Sequence, residues 1–193
     1  MMHYALPQRN PWRTALVVTV VAAGLVGLGA GPAQAEPVKP VPAEYAAAVK
    51  TAGTTCSQID SALVASIVNN ESAWDANARS VTDRVGPGQL GKVEQEKYLR
   101  AGESATSPVD GTIALSRYLC DVAQQVDERL GGKAEAAQVQ RPAVYVAAFW
   151  AGVNRTVELV TKVRAEDSTD RDQTAVYVQR VMSDGAEYAG QGI

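Results

Sequence analysis

Histidine is almost missing from this chain of 193 residues: there is one, His3, two positions from the start. Without it, the rest of the chain cannot assemble a Ser-His-Asp or Cys-His arrangement, and it lacks the usual zinc ligands. Any catalysis therefore falls to carboxylates. Cysteine is also scarce, at two residues, and Cys56 and Cys120 lie too far apart for a C-x-x-C redox or metal pair. There is no basic run, and 18 Lys and Arg against 21 Asp and Glu exclude a nucleic-acid partner. No stretch alternates apolar and polar residues for a useful length, which argues against a sheet. What remains is an all-α chain in which acids carry any chemistry.

Its longest apolar run, from Ala15 to Ala30, stands behind Arg9 and Arg13 and is followed by Gly31-Pro32-Ala33-Gln34-Ala35. At about 15 residues it is short for a spanning helix, and the A-x-A ending fits a secretory signal. Residues 1–35 therefore read as a signal peptide cleaved before Glu36, with an uncleaved anchor as the alternative. Both place the folded part outside the cytoplasm, secreted or associated with the cell wall, where two cysteines are expected to form a disulfide. After cleavage 16 bases remain against 21 acids, a charge of about −5, and about 158 residues make one domain.

Residues 36–44, Glu-Pro-Val-Lys-Pro-Val-Pro-Ala-Glu, read as a proline-rich spacer. A short helix is expected over Tyr45–Ala52, stopped at Gly53, and a second is capped by Asp60 or Ser61. Residues Asp75 to Gly91 lose periodicity and read as a long ordered loop, of a kind usually kept for a purpose. Ser107-Pro108 opens a helix that ends at Gly131-Gly132. Pro142 starts a buried helix ending near Gly152. Asn154–Ala165 and Asp170–Ser183 follow as helices.

Glu71 stands out in the second helix. At roughly 100° per residue from Leu63, Ile67 falls near 40°, Trp74 near 20° and Glu71 near 80°, within the apolar stripe, while Ala62, Ser66 and Asn69 fall on the other side. A carboxylate there faces the core or a cleft, and the negative end of the helix dipole lies beside it. Both effects raise its pKa toward that of a general acid. The alternative is an end-of-helix residue whose head group reaches water past the stripe.

Glu71-Ser72-Ala73-Trp74, Asn77-Ala78 and Gly86-Pro87-Gly88-Gln89-Leu90 resemble the E-S-x-W-x-x-N-A and G-L-M-Q-L segments of the soluble lytic transglycosylases, a family with a goose-type-lysozyme-like fold. Three later stretches, Ile113–Leu119, Ala147–Gly152 and Tyr177–Val181, resemble the family's N-I-x-x-G-x-x-Y-L, A-A-Y-N-A-G and Y-V-x-R-V in the same order. The two cysteines are similar in placement to those of exported actinobacterial members. The resemblance implies a single lysozyme-like domain over residues 45–193, all-α, with a catalytic cleft and one disulfide between Cys56 and Cys120. It implies a monomer acting on peptidoglycan glycan strands at the MurNAc-β-1,4-GlcNAc bond, with no cofactor, metal, nucleic acid or membrane partner. Glu71 would be the sole acid and base. Ser72 would position the substrate or the acid, Gln89 would bind sugar near the cut, and Tyr177 would orient the carboxyl group or the glycan. Trp74 is expected as a core lid over the acid, and Asp75 and Asp83 as solvated loop residues.

The chain departs from the family in three places. Pro87-Gly88 replace Leu-Met, which suggests a stiffer or wider cleft wall. Asp83-Arg84 replace Gly-Ala, so that loop must take another path. Phe149-Trp150 replace Tyr-Asn, which removes a hydroxyl expected near the acid and adds an indole suited to sugar stacking; Tyr145, one turn earlier, is a candidate substitute donor. These changes motivate a second reading, a catalytically silent wall-binding module, and a hydrolytic lysozyme shares the same acid.

Overall fold

The computed structural model describes residues 38–132, 139–161 and 168–193, with side chains in the last segment from residue 173 onward. The expected signal peptide lies outside the described residues, as does the stretch after Thr161 of the helix expected over Asn154–Ala165. Among the described residues seven helices follow in order: α1 (Ala43–Ala52), α2 (Ser61–Ser72), α3 (Lys92–Tyr98), α4 (Pro108–Leu130), α5 (Arg141–Ala151), α6 (Val153–Thr161) and α7 (Ser168–Gly190). The fold is all-α; among the described residues the only bridges are Arg79 to Val85 and Val85 to Leu90, inside the long loop. No described helix is long and apolar enough to cross a membrane.

Local chemistry sets the helix ends. The Asp60 carboxylate accepts from the Leu63 amide at 2.7 Å and caps α2. Ser107 does the same for Asp110 at 3.1 Å, with Pro108 in the first turn of α4. Helix α3 has no buried residue, so it carries none of the apolar periodicity that would mark it in sequence.

Helix α2 differs from the one-sided stripe expected of it. Every residue from Ala62 to Val68 is buried, Ala62 and Ser66 included. It is the central helix, flanked by α1 and α7, and its small polar face is covered by protein. Ser66 satisfies its hydroxyl there by donating to the Val181 carbonyl of α7 at 2.7 Å. Asn70 donates to Asp184 at 2.8 Å from the same side. These bonds fix the α2–α7 register, and that register sets what lies opposite Glu71.

The disulfide joins Cys56, in the turn before α2, to Cys120 in α4, as expected. The proline-rich segment is tied down where it is described: Tyr188 donates to the Lys39 carbonyl at 2.6 Å, Val38 and Val41 pack against the core, and residues 43 and 44 already belong to α1. Arg117 of α4 grips the Glu103 carboxylate with both guanidinium nitrogens, at 2.6 and 3.0 Å, and donates to the Tyr98 carbonyl at 2.8 Å. That clamp holds the 99–107 segment against which the Gly86 loop packs.

Candidate active site around Glu71

Helix α2 ends one residue after Glu71. Ala73 (φ 50°) and Trp74 (φ 70°) both take left-handed backbone, an uncommon conformation for alanine and costly for tryptophan. Burial of the Trp74 ring against Tyr45 and Tyr188, with centroids at 5.1 and 6.1 Å, holds the turn, and Tyr45 donates to the Trp74 carbonyl at 3.0 Å. The expected lid is thus a core anchor that reverses the chain directly after the acid. Asp75 and Asp83 are exposed, as expected, and Asp83 pairs with Arg79 at 3.3 Å.

Glu71 is half-buried, and the hydroxyl of Tyr177 donates to its Oε1 at 2.6 Å. Burial raises the pKa of Glu71, while the Tyr177 hydrogen bond and the positive charge of Arg84 oppose that shift without cancelling it. Tyr177 is itself buried, at 6 % exposure, and burial beside the carboxylate drives its own pKa up, so it stays a donor. With Oε1 held by Tyr177, Oε2 is left to carry the proton.

The other expected residues divide. Ser72 donates back to the Val68 carbonyl of its own helix at 2.9 Å. Gln89 is buried and its Nε2 donates to the carbonyls of Ala78 and Gly86 at 3.1 and 2.9 Å, so that nitrogen is committed to closing the loop. Phe149 and Trp150 both stack on Tyr177, with centroids at 6.4 and 4.2 Å. Tyr145 does not supply the missing hydroxyl: it donates to Asp127 at 2.8 Å. Tyr177, from α7, is the donor that reaches Glu71.

Pro87 and Gly88 are buried against α4 and do not open a wider wall. A side chain at Gly88 would place Cβ 2.8 Å from the Leu115 Cβ, so glycine lets the loop close onto the helix. At Gly86 (φ 77°) a Cβ would fall 1.8 Å from the Ala105 carbonyl oxygen.

Arg84 is the site residue the sequence reading passed over. Its guanidinium donates to the Gln89 carbonyl at 3.1 Å, lies 3.9 Å from Glu94, and acts on Glu71 through its charge. The departure at Asp83-Arg84, which places an arginine in the loop, is its signal in the sequence. On the exposed side of Tyr177, Trp150, Gln173, Val176, Tyr177 and Arg180 line a shallow depression of about 360 Å³ whose lining does not include Glu71, so the expected catalytic cleft is not shown among the described residues. No group of His, Cys, Asp and Glu that could hold a metal occurs among the described residues. Compared with protein-family models, curated proteins and solved structures, the chain matches none of them.

Proposed function

We propose that this chain is an exported peptidoglycan lytic transglycosylase with Glu71 as its sole acid and base. One observation carries the reading: a half-buried carboxyl with a raised pKa, held by Tyr177 through one oxygen and free to deliver a proton from the other. The ordered motif set supports it, as does the absence of histidine after residue 3.

In this mechanism Glu71 gives its proton to the glycosidic oxygen as the bond to C1 of N-acetylmuramic acid breaks. The 2-acetamido group of that sugar steadies the oxocarbenium-like centre. The ionised Glu71 then takes the proton of the sugar's own 6-hydroxyl, whose oxygen bonds to C1 and closes the 1,6-anhydro ring. No water is consumed and the acid is regenerated. Because the substrate supplies both nucleophiles, one carboxylate suffices, outside the usual two-carboxylate scheme. The exposure of Asp75 and Asp83 is compatible with that economy.

A second reading, a silent module that binds glycan strands, is favoured by the half-exposed Trp150 stacked on Tyr177. Mass spectrometry of muropeptides released by the protein and by Glu71→Gln separates the readings. The enzyme yields 1,6-anhydro ends that vanish with the variant. Reducing ends indicate a lysozyme on the same acid. Wall binding by both proteins with release by neither refutes the enzyme.

A further inference from the structure

Gln173, Val176, Tyr177 and Arg180 follow one another at helical spacing along one face of α7, and Trp150 of α5 leans on them. One face of the Trp150 indole is covered by Tyr177, 4.2 Å between centroids with the planes 21° apart. Even so, Trp150 remains 48 % exposed and Val176 55 %. A tryptophan left this open without a core role offers its other face to a ligand. The C–H face of a pyranose carries the partial positive charge that a π-face attracts.

Among the described lining residues the only charged one is Arg180. Arg180 is exposed and makes no ion pair among the described residues, and no acid is among the described residues that line the depression. An open guanidinium takes a planar carboxylate through two parallel hydrogen bonds. The Gln173 amide adds a donor and an acceptor for a hydroxyl or acetamido group.

We propose that the depression bounded by Trp150, Gln173 and Arg180 is a subsite for a sugar bearing a carboxylate, its ring on the indole and its carboxylate on Arg180. The assignment rests on the reading that glycan strands are the substrate, and it narrows that substrate to anionic strands. Tyr177 joins subsite and acid, because the ring that backs Trp150 carries the hydroxyl bonded to Glu71. In peptidoglycan the carboxylate has two sources: the lactyl group, free once an amidase has removed the stem peptide, and the stem's own carboxylates.

Binding is read by tryptophan fluorescence in the Glu71→Gln protein, so that turnover does not consume the ligand. The probes are neutral chitooligosaccharide, strands stripped of stems, stem-bearing strands, and stem-bearing strands with amidated carboxylates. Carboxylate-bearing strands are expected to bind more tightly than chitooligosaccharide. Arg180→Gln should weaken them about tenfold or more while leaving the neutral sugar unchanged. Trp150→Ala, read by titration calorimetry because it removes the reporter indole, should weaken all four. A preference confined to stripped strands identifies the lactyl carboxylate, and one lost on amidation identifies the stem. Equal affinity for neutral and anionic strands, a preference that survives Arg180→Gln, or no binding at all overturns the subsite. Anhydro-product release by the unsubstituted protein, measured in parallel, tests the acid separately: release without the preference sinks the subsite alone, and preference without release sinks the enzyme alone.

Discussion

Glu71 binds its proton more tightly in the folded chain than a solvated glutamate does, because ionisation there leaves a charge half out of water at a helix C-terminus. Since the folded pKa lies above the unfolded one, this group's contribution to stability is fully present below the ordinary glutamate range. It is lost as pH rises through the folded pKa. Glu71→Gln keeps an acceptor for the Tyr177 hydroxyl and has nothing to ionise. The variant should therefore match the parent in urea unfolding at acid pH and exceed it at neutral pH. An unchanged difference across that range would mean that Glu71 reaches water freely. The partial burial of Glu71 is legible from residue types and spacing. Its donor is not, since Tyr177 stands 106 positions away and reaches Glu71 only through the packing of α7 on α2.

At the scale of elements, the loop from Asp75 to Gly91 is held by contacts that tolerate almost no added volume. Gly88→Ala would push Cβ into Leu115 of α4, at a cost of roughly 1–3 kcal/mol by overpacking. Gly86→Ala should cost more, since it combines the 1.8 Å approach to the Ala105 carbonyl with a left-handed φ of 77°. Thermal unfolding of both variants checks the ranking, and a tolerated Gly86→Ala would show that the loop does not pack on the 99–107 segment. The sequence marks this stretch as a loop through its glycines and lost period. What those glycines do is decided by α4, where Gly111 must also stay small beneath Pro87 and Ala105.

Across the whole molecule, the Cys56–Cys120 bond closes a loop of separation 64 and ties the turn before α2 to the middle of α4. The chain-entropy model gives it about 4 kcal/mol. Replacing both cysteines by alanine should lower the unfolding free energy by about that amount, measured by denaturant titration under oxidising conditions. A loss below about 1 kcal/mol would indicate that residual structure already constrains the unfolded chain without the bond. Stability and site are linked here, because the same α2 is anchored at its start by the disulfide and carries Glu71 at its end.

Residue types and spacing alone determined a helical chain, a cap at Asp60 or Ser61, a helix start at Ser107-Pro108, the oxidised cysteine pair and the suspicion attached to Glu71. Those features are local, or depend on composition, and need no knowledge of what packs where. Only the tertiary structure decided that α2 is buried all round, that α3 exists, and that Gln89 spends its amide nitrogen on its own loop. It also decided that Tyr177 donates to Glu71, that the charge of Arg84 bears on it, and that Trp150 stacks on Tyr177. The physical reason is separation along the chain: packing by distant elements buries the carboxyl and raises its pKa, Tyr177 of α7 and Arg84 of the Gly86 loop oppose that shift, and periodicity within α2 carries no information about any of them.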